Sequence, residues 1–266
     1  MALREKNRLL QRTVTAREKG KKLFCAYLTA GLPSLRETEK LIEEFERIGV
    51  DILELGFPFS DPLADGPVIQ QASYEAIQRG ISIDACCRMV TRLRAKGCGI
   101  PIVFFSYLNP IQHYGVERCV RALQRSGFDA VLCPDLPIGV DEVLPRAARD
   151  AGMAFIRLLA PNTLPARQKR IVRDTDGFLY YVSRKGITGT QQTMRSSLTK
   201  ELKVLRARTT VPVLVGFGVS TPAQVRTVTT VADGAIVGSA IVRRLLETRS
   251  VKKTVAFTKT LVRSVR

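Results

Sequence analysis

Histidine is nearly missing from this chain: His113 is the only one in 266 residues. The six cysteines (Cys25, Cys86, Cys87, Cys98, Cys119, Cys133) include no CxxC pair. Metal-ligand spacing is therefore absent, and no metal site is expected. No apolar run approaches the ~18 residues needed to cross a bilayer, so no membrane segment is expected. The first residues lack the apolar core of a secretory signal, and Glu5 and Glu18 among the basic residues argue against a transit peptide. Scattered free thiols then suit a reducing, cytoplasmic setting. Also lacking are a linker, a low-complexity segment and a sequence repeat, so one domain over 1–266 is expected. With 45% hydrophobic and 25% charged residues, such a chain can bury a substantial core.

Charge is plentiful and one-sided, at +18. Of this, +6 falls in residues 1–22 and +7 in residues 241–266, leaving +5 for everything between. Both basic ends look helical and are poor in aromatics, whereas single-strand binders interleave stacking rings with their cations. A solvated basic surface is the expectation, and a nucleic-acid site is not.

Between the ends, short apolar runs alternate with amphipathic stretches. Strands are predicted at 24–30, 51–57, 101–107, 130–135, 154–160, 178–183, 211–217 and 234–239. Their near-continuous apolarity fits parallel strands covered on both faces. Ser34 to Glu37 reads as a capping box, Gly127 as a helix stop and Thr221-Pro222 as a helix start. The stretch 83–96 adds a further helix. Eight βα units in this length predict a single (β/α)8 TIM barrel over 23–266, preceded by an extra basic helical segment in 1–22. Arg157, inside the fifth strand, sits where an apolar residue is expected.

In such barrels the active site lies at the C-terminal ends of the strands. The segment "ILELGFPFSDPLADGP" puts Glu54 near the end of the second strand, and Asp61 and Asp65 in the loop after it. A partly desolvated carboxylate there suits acid/base work. Glu54 could also pair with an arginine as packing, and Asp65 could be a turn residue, since Asp-Gly-Pro favours turns. The loops after strands six, seven and eight carry Gly186 and Gly189, Gly216 and Gly218, then Gly238 and Ser239 at the start of the last helix. Exposed backbone N–H groups and a helix N-terminus suit a phosphate. Schiff-base chemistry has no strand lysine to use, and zinc-dependent aldol cleavage has no histidine cluster. A small phosphorylated substrate undergoing acid/base chemistry fits, and at this point several phosphate-binding barrel enzymes would.

"LELGFPFSDPLADGP", "YLTAGLPS", "SRKGITG", "GFGVS" and "VGSAIV", in this order and spacing, resemble the tryptophan synthase α-subunit family. The resemblance spans essentially the whole barrel. It implies retro-aldol cleavage of indole-3-glycerol phosphate to indole and glyceraldehyde 3-phosphate. It also implies Glu54 and Asp65 as catalytic residues, with Glu54 protonating carbon 3 of the indole ring and Asp65 accepting its N–H. Gly189, Gly218, Gly238 and Ser239 become phosphate contacts, and Tyr27, Tyr107 and Tyr180 pocket positions. Asp61, Pro62 and Arg184 fall on loops that signal to a β subunit. That partner, in an assembly of two α and two β chains, is expected to hold pyridoxal phosphate, with no cofactor in this chain.

Overall fold

A computed structural model describes residues 6–183, 191–216 and 218–265. A basic helix α1 (Arg8–Glu18) leads into β1 (Leu23–Thr29), α2 (Leu35–Ile48), β2 (Ile52–Gly56), α3 (Pro67–Ile77) and α4 (Ile83–Ala95). Next come β3 (Ile102–Phe105), α5 (Leu108–Tyr114), α6 (Val116–Ser126), β4 (Ala130–Leu132), α7 (Val143–Asp150), β5 (Ala154–Ile156) and β6 (Leu158–Leu159). The remainder is α8 (Pro165–Asp174), β7 (Leu179–Val182), α9 (Gln191–Arg208), β8 (Val213–Gly216), α10 (Pro222–Val231), β9 (Gly234–Val237), α11 (Ser239–Thr248) and α12 (Val251–Val262). All recorded strand pairings are parallel, and β1 pairs with both β2 and β9, so the sheet curls into the TIM barrel.

The helix signals act where they were read. Ser34 accepts the Glu37 N–H, Gly127 closes α6 in the left-handed conformation, and Thr221 with Gln224 forms a full capping box.

The fifth strand is not continuous. β5 pairs with β4 and β6 with β7, and the break between them is Arg157. Its backbone N–H goes to the Thr175 hydroxyl instead of a neighbouring strand (3.0 Å). Its guanidinium stacks over Phe155 and reaches Asp174, with Nε at 2.7 Å from Oδ2. Arg157 is thus tolerated in the barrel wall because its charge has a partner.

On the underside, four aspartates that precede strands repeat one device. Asp51, Asp129, Asp176 and Asp233 accept the backbone N–H of Phe24, Ile102, Phe155 and Val213, each at the foot of the preceding strand. Each also takes a cation. Arg12 and Lys21 pair with Asp51, Arg8 and Arg94 with Asp129, Arg149 with Asp176, and Arg206 with Asp233. The N-terminal basic segment is therefore not simply a solvated surface: α1 and the turn after it bring counterions to the barrel's own carboxylates. Among the described residues no helix is long and apolar enough to cross a membrane.

Candidate active site

At the opposite end of the barrel, the strands open into a cavity of about 550 Å³. Glu54 and Asp65 line it together, with Tyr27, Tyr180, Gly218 and Ser239 among the other walls.

Glu54 sits in β2 beside Tyr27 of β1 in the parallel register. It is 1% exposed, and among the described residues Oε1 has no hydrogen-bond partner. Burial pushes its carboxyl up to about 8, and a hydrogen bond from the Cys25 thiol lowers it only in part. Among the described residues no arginine pairs with it. Burial thus holds a proton on Glu54 at neutral pH inside an apolar barrel, the condition of a general acid.

Asp65 comes from the loop between β2 and α3. The loop is folded on itself, with the Asp65 N–H bonded to the Pro62 carbonyl and Leu63 N–H to that of Asp61. Gly66 then caps α3, whose first residue is Pro67. Turn chemistry and site chemistry coincide in this aspartate. Burial pushes its carboxyl up to about 6, and a hydrogen bond from Tyr107 opposes that rise. The two carboxyls therefore titrate apart: between pH 6 and 8 one carries a proton and the other a charge.

The three tyrosines have different jobs. Tyr27 and Tyr180 wall the cavity. Tyr107 does not reach it; buried behind Asp65, it holds that carboxylate. Two of the site's glycines are explained by these rings. A Cβ at Gly56 would lie 2.0 Å from the Tyr27 hydroxyl, and one at Gly216 2.4 Å from the Tyr180 hydroxyl. Gly216, read from the sequence as a phosphate-loop glycine, makes room for Tyr180.

Gly218 has φ +82°, a conformation that favours glycine, and it lines the cavity. Gly238 has no side chain to cap α11, so the first turn of that helix faces the cavity through Ser239 and Ala240. Gly189, Arg184 and Gly186 lie outside the described residues. Asp61 is exposed on the loop, away from the cavity wall, with the Ser60 hydroxyl bonded to it at 2.6 Å; Pro62 is half-buried. Sequence reasoning missed Cys25, although it lies two residues before Tyr27 and so shares its face of β1. It also missed Arg243 and Arg244, which line the cavity beyond Ser239. Among the described residues no group of side chains could hold a metal ion.

A family model described as "Tryptophan synthase alpha chain" matches residues 14–265. The tryptophan synthase alpha chain of Chloroflexus aurantiacus is 41% identical over 239 residues, covering 90% of each chain. That of Dehalococcoides mccartyi is 39% identical over 245 residues, covering 92% of this chain and 96% of its own. The crystal structure of tryptophan synthase subunit alpha from Legionella pneumophila superposes with a TM-score of 0.89 at 31% identity, covering 97% of this chain and 98% of that one.

Proposed function

Because the chain belongs to the tryptophan synthase alpha chain family, we propose that Glu54 and Asp65 carry out its reaction at the mouth of the barrel. The enzyme is a carbon–carbon lyase of tryptophan biosynthesis. It cleaves indole-3-glycerol phosphate to indole and glyceraldehyde 3-phosphate.

The observation that carries the assignment of roles is that both carboxyls open into one cavity with their pKa values pushed apart. Breaking a carbon–carbon bond to an aromatic ring first requires the ring to become an electron sink. Protonated Glu54 gives its proton to carbon 3 of the indole, making a cationic indolenine. Ionised Asp65 accepts the ring N–H and stabilises that charge. The Glu54 carboxylate then takes the proton of the side-chain hydroxyl next to the ring. The carbon–carbon bond breaks, its electrons return to the ring, and Glu54 regains its proton. Tyr27 and Tyr180 wall the ring pocket. Gly218, Gly238 and Ser239, with Gly189, receive the phosphate.

A β subunit is the proposed partner, in an assembly of two α and two β chains, and pyridoxal phosphate belongs to it. Leu63, Val140 and Leu164 support this reading. They are 92%, 72% and 74% exposed on segments that follow β2, β4 and β6, so they form apolar surface beside the site's own mouth. A cytoplasmic setting fits.

The test is release of indole from indole-3-glycerol phosphate by the purified chain, with and without a β subunit. Indole appearing with stoichiometric glyceraldehyde 3-phosphate is expected. Consumption of substrate by isomerisation, without indole, would overturn the reading.

A further inference from the structure

The cavity does not end at the first turn of α11. It follows the same helix to Arg243, Arg244 and Glu247, with Ile69 of α3 and Phe257 of α12 also on its wall. Ala240 and Arg244 are four residues apart and share a helix face. Side chains on a helix lean toward its N-terminus, so an arginine at 244 covers the turn that carries Ser239 and Ala240. Along the axis that turn is only about 8 Å away at 1.5 Å per residue, within reach of an arginine side chain.

Arg243 and Arg244 are the only cations on the cavity wall among the described residues. Arg243 is exposed, and Glu247, four residues on, is placed to share solvent with it. Arg244 is different. Its Nε is buried and has no hydrogen-bond partner among the described residues. Arg244 as a whole is half-buried, and the more deeply buried arginines have carboxylates: Arg94 lies 2.9 Å from Asp129 and Arg157 2.6 Å from Asp174. A buried cationic N–H without an acceptor is costly, and an anion in the cavity would remove that cost.

We infer that Arg244 is a side-chain partner of the substrate phosphate, adding a cationic donor to the backbone amides at the head of α11. The inference rests on the phosphate reading given above. Backbone amides and a helix terminus supply about half a unit of positive charge, well short of a phosphate dianion. A guanidinium close by completes the neutralisation and adds charge-assisted hydrogen bonds. Arg244 touches the non-reacting end of the substrate, so its energy is spent on binding and not on the bond-breaking step.

Calorimetric titration with glycerol 3-phosphate, beside steady-state kinetics on indole-3-glycerol phosphate, tests this on the full chain. Arg244→Gln is expected to weaken glycerol 3-phosphate binding and raise KM by about tenfold, with kcat nearly unchanged. Arg244→Lys, which keeps the charge, should recover most of that loss and guards against a variant that merely fails to fold. Ser239→Asp, which places a carboxylate where the phosphate would sit, reports on the site itself. If Ser239→Asp abolishes binding while Arg244→Gln binds normally, the inference is wrong and the phosphate site stands. If neither substitution changes binding, the phosphate reading fails and the inference with it. A fall in kcat alone, or no recovery with lysine, would make Arg244 a packing residue.

Discussion

Tyr107 donates its phenolic proton to Asp65 Oδ2 at 3.0 Å, and its own hydroxyl oxygen accepts the Ala64 N–H at 3.0 Å. One buried hydroxyl therefore fixes both the backbone and the carboxylate of the loop that supplies one carboxyl of the proposed acid/base pair. Phe59 packs against the same ring at 5.4 Å, so the clamp is itself held.

Tyr107→Phe removes the clamp and keeps the ring. Cleavage should fall roughly tenfold, the scale of one hydrogen bond to a charged group. The Asp65 carboxyl also loses the interaction that opposes its rise, so the acid side of the pH–activity profile should move above 6. Rates measured from pH 5 to 9 check both. An unmoved acid limb would show that the hydroxyl does not act through Asp65.

For the unsubstituted chain, kcat/KM against pH should be bell-shaped. It rises near 6 as Asp65 ionises and falls near 8 as Glu54 loses its proton. Glu54→Gln should lower turnover by at least about a thousandfold, because an amide cannot cycle a proton. Asp65→Asn should lose most activity and the acid limb with it. A profile flat from pH 5 to 9 would reject the assignment of the two roles.

Stability should report the same proton. The folded pKa of Glu54 lies above its ordinary value, so its contribution is complete below about 4.5 and drains away as pH rises toward 8. Glu54→Gln has no such loss. The variant should gain on the parent by ~2 kcal/mol or more between pH 4.5 and 8, read from urea midpoints at each pH. A gap that stays constant over this range would mean that burial does not hold the proton on Glu54.

Much of this was legible in the sequence because the barrel writes its strands as apolar runs, and a carboxylate inside one stands out. Glu54 stands out in that way, whereas Asp65 lies in the loop after the strand and takes its role from the family resemblance. The third strand reads too long in the sequence: β3 ends at Phe105, Ser106 keeps one backbone bond to Leu132 of β4, and the apolar Tyr107 already caps the next helix. α5 was missed; Pro110 falls in its first turn, which a helix tolerates but a pattern does not reveal. Arg157 looked misplaced because its partner, Asp174, is brought up by a separate helix. Gly216 was assigned to the phosphate because nothing in a one-dimensional string shows a tyrosine hydroxyl filling its missing side chain. The basic N-terminus looked solvated for the same reason: its carboxylate partners, Asp51 and Asp129, are distant in sequence.

That underside network makes a prediction of its own. Asp129 is 2% exposed and holds Arg8, Arg94 and the Ile102 N–H at once. Asp129→Ala leaves Arg94 largely buried without its counterion, a loss of about 3 kcal/mol by the usual cost of breaking a buried pair. Chemical unfolding measures it. A change below about 0.5 kcal/mol would show the network to be dispensable, and the active-site titrations should be unaffected either way.

The last prediction concerns the loop's other end. Asp65 is held from inside by Tyr107, while Asp61 and Leu63, two to four residues earlier, face outward. Prolines at 58, 62 and 67 and the turn bonds at Pro62 and Asp61 leave the loop few conformations, so it can move as a semi-rigid lid. A β subunit that favours the clamped position would raise turnover by shifting a population, without supplying a catalytic group. The isolated chain should therefore cleave slowly and accelerate clearly when a cognate β subunit is added. Asp61→Ala and Pro62→Ala should blunt that acceleration several-fold more than they reduce the isolated rate, and Leu63→Ser should weaken the association. Tyr107→Phe should act in the opposite sense: it lowers the isolated rate, and the β subunit, by holding the loop from outside, restores part of it. Equal losses with and without the β subunit in all of these variants would reduce the loop to a fixed wall of the pocket.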